Sequence, residues 1–99
     1  MTRLPLSVNP QAEEEALKSA RWYENESEGL GAAFLELVEQ TLTAISENPL
    51  RFPLVYRDVR RALLKTFPYG VFFRVRPDRI RVLAVMHLSR DTSRWQKRK

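Results

Sequence analysis

The side chains best suited to chemistry lie in the last third of the chain, where arginines alternate with apolar residues. Arg74, Arg76, Arg79 and Arg81 flank a Pro-Asp pair, and His87 is the only histidine. An arginine can hold a phosphate or a carboxylate with two parallel hydrogen bonds, and a histidine can exchange a proton near neutral pH. These residue types indicate a site for an anionic partner, or for acid–base chemistry on one.

The residues from 69 to 87 alternate in a way that predicts two antiparallel strands joined by a tight turn. With Pro77-Asp78 as a two-residue loop, the register of this hairpin is fixed. The facing pairs are then Arg76 with Arg79, Val75 with Ile80, Arg74 with Arg81, Phe73 with Val82, Phe72 with Leu83, and Val71 with Ala84.

This register sorts the side chains onto two faces, because successive residues of a strand point to opposite sides of the sheet. The apolar face has Tyr69, Val71, Phe73, Val75, Ile80, Val82, Ala84 and Met86. The basic face has Phe72, Arg74, Arg76, Arg79, Arg81, Leu83, Val85 and His87. Like charges opposite each other destabilise a sheet. The arginines therefore either receive an anion or splay into water, where salt screens their repulsion.

Two helices that could cover the apolar face precede the hairpin. Asn9-Pro10 is a typical helix start, and a stripe of alanines predicts a first helix from about residue 10 to about residue 26. Helical spacing of apolar residues predicts a second helix from about residue 30 to about residue 47, which ends before Asn48-Pro49.

Shorter elements complete the order. We expect strands at residues 4–8 and 54–57, and a last helical turn that carries Trp95 under a cap from Ser89 or Asp91. The final four residues are expected to fray. The predicted fold class is α+β, in the order β-α-α-β-β-β(-β): an antiparallel sheet with an αα-hairpin packed on one face and the other face open and basic. Residues 1–99 fit one domain.

The charge of the chain is divided unevenly. Residues 1–50 have three basic and nine acidic residues, whereas residues 51–99 have fourteen basic and three acidic residues. A basic surface attracts phosphates or acidic proteins. With one histidine and no cysteine, a transition-metal site is not expected, and no motif indicates a cofactor. No apolar run approaches the roughly 20 residues of a membrane-spanning helix, and the absence of cysteine suits the cytoplasm.

The order of elements and several motifs resemble the RelE/ParE superfamily, the small toxins of bacterial type II toxin–antitoxin systems. The motifs are Asn48-Pro49 with Phe52-Pro53, the run from Arg60 to Val75 that contains Phe-Pro-Tyr, and the run from Ile80 to Trp95 that contains His-x-x-Arg-Asp. The resemblance covers roughly residues 6 to 95 and is nearest to the ParE-like members.

The resemblance implies one of two activities, and in both a cognate antitoxin protein blocks the toxin. ParE-like toxins bind and poison DNA gyrase without being nucleases. RelE-like toxins cut mRNA on the ribosome, and this activity would assign catalytic roles to Arg61, Arg81, His87 and Arg90. Residues expected to bind a target or the antitoxin are Lys65, Arg74, Arg76, Arg79, Arg94 and Trp95. A further alternative is a non-toxic member that still binds an antitoxin.

Plainer roles compete with these assignments. A histidine at a strand end often hydrogen-bonds a backbone carbonyl or caps the next turn, and each arginine could belong to a solvated face. Trp95 and Trp22 are expected to serve mainly in packing. The parity of Tyr69 places it on the apolar face, away from any chemistry, whereas the outward parity of Arg60 or Arg61 stays undecided.

Overall fold

The computed structural model describes residues 3–91 and 93–99 and confirms the α+β fold. Its elements are β1 (Leu6–Val8), α1 (Pro10–Glu26), α2 (Leu30–Glu47), a 3-10 turn (Pro49–Arg51), β2 (Leu54–Tyr56), β3 (Val59–Leu63), β4 (Tyr69–Val75), β5 (Ile80–His87) and α3 (Ser93–Gln96). The sheet has the order β1-β5-β4-β3-β2. Three of its pairings are antiparallel as expected, whereas β1 runs parallel to β5, because the helices intervene between these two strands.

The first helix begins at the predicted cap. The side-chain oxygen of Asn9 accepts a hydrogen bond from the Gln11 amide at 2.7 Å, and Pro10 occupies the first turn, where no amide donor is needed. The buried face of α1 consists of Ala12, Ala16 and Ala20. Small side chains on this face let α2 and the sheet approach closely.

The two helices lie in close contact beside their connecting turn. A methyl group on Gly31 of α2 would lie 2.4 Å from the carbonyl oxygen of Ala20 in α1. This distance leaves no space for any side chain, so the crossing of the helices requires glycine at this position.

We expect Gly31→Ala to lower the free energy of unfolding by about 1–3 kcal/mol, because the added carbon must push two backbones apart. Urea denaturation followed by circular dichroism measures this loss. Thr43→Ala, on the exposed side of the same helix, serves as the control and should change stability by less than about 0.5 kcal/mol. Equal effects of the two substitutions would show that the helices do not meet at Gly31.

The start of α2 is capped from α1. Gly29, the residue before the helix, has a φ of 87° and no side chain to accept hydrogen bonds. Glu24 supplies them: its carboxylate accepts from the amides of Gly29 at 2.9 Å and Gly31 at 3.0 Å. These backbone hydrogen bonds, the one from Gly29 first, hold the pKa of Glu24 below its usual value.

A lowered pKa links this cap to pH. The contribution of Glu24 is present above the unfolded-state pKa and is lost as the pH falls through the lower pKa of the folded protein. We therefore expect the melting temperature to fall below about pH 4 with a shallower slope in Glu24→Gln than in the wild type. The exposed Glu28→Gln is the charge-matched control, and an unchanged slope in Glu24→Gln would contradict the capping role.

The main core lies between the helices and one face of the sheet. Tyr23, Phe34, Phe67 and Tyr69 contact one another with ring centroids 4.8–6.0 Å apart. These rings belong to a larger apolar cluster between the helices and the sheet, the helix-side cluster. Its fully buried members are Ala12, Phe34, Ile45, Val71, Phe73, Ile80 and Val82. Tyr69 lies in this cluster, which confirms its predicted parity.

The hairpin register matches the prediction only near the turn. Arg74 faces Arg81 and Phe73 faces Val82, as expected. Further from the turn, Phe72 faces Ala84, because the register shifts there and leaves an extra residue in β5. The predicted pairs of Phe72 with Leu83 and Val71 with Ala84 are therefore wrong.

The register shift exchanges the faces of the residues that follow it. Val85 packs in the helix-side cluster, whereas Ala84 and Met86 pack on the opposite face. His87 faces Tyr69, with their ring centroids 5.3 Å apart, so its predicted place on the basic face is wrong. His87 lies instead at the end of the sheet, where it lines two small cavities.

Candidate functional site

The face of the sheet opposite the helices is not open as predicted. The C-terminal segment, residues 88–91 and 93–99, lies across it, and Trp95 is only 1% exposed there. Its indole stacks on Phe72 with centroids 4.7 Å apart and meets the Tyr56 ring edge-on at 5.9 Å. The second cluster that this segment completes contains Val59, Phe72, Leu83, Ala84, Met86 and Trp95.

A short helix positions Trp95. The Asp91 carboxylate accepts a hydrogen bond from the Ser93 amide at 2.9 Å at the start of α3, which confirms the predicted cap. This bond, followed by the one from the Ser93 side chain, lowers the pKa of Asp91. The expectation that the last four residues fray is wrong, because the backbone oxygens of Arg98 and Lys99 accept hydrogen bonds from the sheet and from Asn9.

Arg74 and Arg81 lie on the predicted face, but both bind groups of the protein itself. Arg74 pairs with Asp58 at 2.9 Å and donates to the Arg98 carbonyl at 3.0 Å. Arg81 donates to the Lys99 oxygen at 3.3 Å and to the Ser7 hydroxyl at 3.2 Å. These acceptors offset the repulsion between the two facing guanidinium groups.

The pKa of Asp58 reflects this arrangement. Partial burial acts to raise it, but the hydrogen bond from Arg74 and the charge of Arg74 outweigh that effect, so that the pKa lies below its usual value. The carboxylate therefore stays ionised at neutral pH and keeps Arg74 in place.

The outer edge of β5 is closed by a second ion pair. β1 pairs only with residues 80–82, and beyond it the Leu83 carbonyl and the Val85 amide face outward. Arg98 donates to the Leu83 carbonyl at 3.1 Å, and Glu15 accepts from the Val85 amide at 3.2 Å. The same two side chains form a bidentate pair at 2.9 Å.

Three of the four residues assigned to RNA cleavage lie around one small cavity. This cavity, the Arg61 pocket, has a volume of about 210 Å³. It is lined by Val55, Tyr56, Arg61, Phe72, Met86, His87, Leu88, Arg90, Trp95 and Gln96. Arg81, the fourth, is not among these residues.

The sheet determines the position of Arg61. It faces Phe72 across β3 and β4, which decides its parity: Arg61 lies on the side of the C-terminal segment, and Arg60 on the helix side. A methyl group on Gly70 would lie 3.2 Å from Cγ of Arg61, so the stem of Arg61 lies over this glycine. Its Nε is buried and has no hydrogen-bond partner within residues 3–91 and 93–99.

The ring of His87 has a defined orientation. Its Nδ1 accepts a hydrogen bond from the Ser89 amide at 3.1 Å and lies 2.8 Å from the Ser89 hydroxyl. A ring that accepts at Nδ1 has its proton on Nε2 when neutral. His87 therefore caps the turn that follows β5, which is one of the two plain roles expected for it, and its Nε2 can still donate to a bound group.

A second cavity of about 140 Å³ lies on the other side of His87. This Lys18 pocket is lined by Glu15, Lys18, Ser19, Tyr69, Val85, Met86, His87, Arg90 and Arg94. Sequence reasoning missed Lys18 and Glu15, because α1 and the end of β5 are far apart in the chain and no local pattern connects them.

The remaining candidates do not converge on these cavities. Arg76 and Arg79 lie beside the hairpin turn, where the Arg76 amide donates to the Arg79 carbonyl at 2.7 Å. Lys65 lines a different cavity, beside α2, together with Arg51. Trp22 is 59% exposed, so the expectation that it serves in packing is wrong, whereas that expectation is confirmed for Trp95.

Within the described part of the chain, no group of three His, Cys, Asp or Glu side chains could hold a metal ion. None of the helices among those residues has the length and apolar character needed to cross a bilayer.

Comparisons with known proteins agree with the fold and then identify the family. A solved structure, the chromosomal ParDE toxin–antitoxin system from P. aeruginosa, is similar over 88% of this chain and 98% of that chain, with a TM-score of 0.73 at 15% sequence identity. No curated protein gives a significant match. The family model for the ParE toxin of type II toxin–antitoxin systems, parDE, matches residues 6–92. The chain therefore belongs to the ParE family of type II toxins.

Proposed function

We propose that a cognate antitoxin neutralises this toxin and that its target is DNA gyrase, which it binds and poisons without cleaving a substrate. The match of the ParE family model over residues 6–92 carries this proposal, because gyrase poisoning is the activity that the ParE-like resemblance implies. We place this action in the cytoplasm, where gyrase acts, and expect the neutralised form to be a toxin–antitoxin hetero-oligomer.

A second candidate is a ribosome-dependent endoribonuclease. Arg61, His87 and Arg90 around one cavity favour it, because a cleaved phosphate needs positive groups and a proton donor. Two observations favour gyrase instead: Arg81 binds Ser7 and Lys99, and the lining of the Arg61 pocket includes no carboxylate. Acid–base partners for His87 are therefore not evident in that lining.

One set of assays separates the candidates. The purified protein is tested for inhibition of gyrase supercoiling, and translated mRNA is examined for cleavage by primer extension. Inhibited supercoiling with intact mRNA is the expected result. Cleavage at codons with normal supercoiling would overturn the gyrase proposal. Growth unaffected by expression of the protein would favour the third candidate, a non-toxic member that retains antitoxin binding.

An apolar groove supports antitoxin binding beside the helices. The helices meet at Gly31 but leave a cavity of about 480 Å³ further along, with Val82 and Val85 of the sheet at its base. Leu17, at its margin, is 42% exposed. We propose that an apolar segment of the antitoxin fills this groove.

We expect Leu17→Asp to weaken antitoxin binding by at least about tenfold, because a charge would replace apolar contact in a desolvated groove. The antitoxin used is the small protein encoded beside this gene, and affinity is measured by isothermal titration calorimetry. Leu63→Asp, at a similarly exposed leucine of β3, is the control and should leave the affinity unchanged. Equal losses in both variants would exclude the groove as the binding site.

A further inference from the structure

The Arg61 pocket and the Lys18 pocket lie side by side at the end of β5. They share Met86, His87 and Arg90, so a bound chain could pass from one cavity to the other across His87. We call the two cavities together the cationic groove. Its basic side chains are Lys18, Arg61, Arg90 and Arg94.

The basic side chains of this groove form no ion pair among the described residues, unlike Arg74 on the sheet face, although the charge of Arg94 contributes to the lowered pKa of Asp91. Within residues 3–91 and 93–99, the ion pairs involve only Arg74 with Asp58 and Arg98 with Glu15. Glu15 is the one carboxylate among the lining residues, and both of its oxygens already bind Arg98. The basic side chains of the groove are therefore able to bind an anionic partner.

Arg61 is the most restricted of these groups. Its stem is held over Gly70, and its buried Nε has no protein hydrogen-bond partner among the described residues. That nitrogen is shielded from solvent, so a bound anion would meet the other nitrogens of the Arg61 side chain, which lines the pocket.

The dimensions of the groove select the kind of anion. Cavities of about 210 and 140 Å³ are smaller than the ~300–1,000 Å³ of sites that enclose drug-sized ligands, but each can accept one side chain. Stacking of nucleobases requires an accessible aromatic face, but Trp95 is buried against Phe72, and the partly buried Tyr56 meets Trp95 edge-on and has Arg57 over its ring. Carboxylate side chains fit this groove better than nucleotides do.

We propose that the cationic groove binds an extended acidic segment of a partner protein, with carboxylates entering the two cavities on either side of His87. The inference rests on the proposed function only for the identity of that partner, the antitoxin. It assigns the electrostatic contact to the end of β5, because Arg74 and Arg81 are already bound by the C-terminal segment.

The test uses the full chain with Trp22→Phe, so that Trp95 is the sole tryptophan, and a hexaglutamate peptide as the probe. We expect saturable binding, seen as a change in Trp95 fluorescence, that weakens as salt is raised. Arg61→Gln and Arg90→Gln should each raise the Kd at least about tenfold. Arg79→Gln removes the same charge beside the hairpin turn and should raise it less than about threefold.

The alternative outcomes are distinct. Equal losses in Arg79→Gln and Arg61→Gln would overturn the proposal, since binding would then follow net charge alone. Tighter binding of hexathymidylate than of hexaglutamate would overturn it in favour of nucleic acid. If Arg61→Gln does not fold, the Kd of Arg90→Gln is compared with that of Arg79→Gln. Arg90 is exposed, so its substitution does not disturb the core. The assay needs neither toxicity nor gyrase, so its failure and the failure of the proposed function are separate results.

Discussion

Replacing Trp95 by alanine should lower the free energy of unfolding by about 3–5 kcal/mol, the typical loss when a buried large aromatic side chain is truncated. The indole is 1% exposed and stacks on Phe72, so its removal leaves a cavity between the sheet and the C-terminal segment. Urea denaturation followed by circular dichroism measures the change.

Trp22→Ala is the matched control for this substitution, because Trp22 is 59% exposed. It should change stability by no more than about 1.5 kcal/mol, because the mostly exposed indole meets the Tyr23 ring edge-on, with centroids 5.1 Å apart. A small effect of Trp95→Ala, similar to that of the control, would mean that the C-terminal segment does not pack on the sheet. The arginines of that face would then be available to partners, as the sequence first suggested.

Arg98→Gln is expected to cost about 2–4 kcal/mol, because it leaves the Glu15 carboxylate partly buried without its cation and the Leu83 carbonyl without its donor. The pair is incompletely buried, with side-chain exposures of 11% for Arg98 and 21% for Glu15. We therefore place the loss somewhat below the ~3–5 kcal/mol of a fully buried pair.

A double-mutant cycle with Glu15→Gln isolates the interaction between the two side chains. We expect a coupling free energy of about 1–3 kcal/mol, since the two groups are in direct contact. Arg94→Gln removes an exposed charge from the same segment and should change stability by less than about 0.5 kcal/mol. Additive effects of the Arg98 and Glu15 substitutions would show that the pair does not close the edge of β5.

The helices and the hairpin turn could be predicted because their signals are local. Asn9-Pro10 starts α1 and Asn48-Pro49 follows α2, and both helices have the predicted bounds. Near the turn, Arg74 and Arg81 alternate with apolar residues, so the register could be recognised from polarity.

The register shift in β5 could not be predicted from the same signal. Residues 82–86 are all apolar, so no change of polarity shows where the alternation between faces is interrupted. For this reason the predicted faces of Val85 and Met86 were wrong. The predicted face of His87 was wrong for the same reason. Of the candidate site, the sequence identified Arg61, His87, Arg90, Arg94 and Trp95, but not that they line two adjacent cavities.

The sequence alone determined the fold class, the helix bounds, the basic character of the second half and the resemblance to the toxin superfamily, because caps, periodicity and motifs act between neighbouring residues. Only the tertiary structure decided which positive groups stay available. Arg98 and Glu15 are 83 positions apart in the sequence. Arg74 and Arg98, whose carbonyl accepts a hydrogen bond from Arg74, are 24 positions apart. Contacts between distant parts of a chain leave no local pattern, so the sequence could not show that the C-terminal segment covers one set of arginines and leaves another around His87.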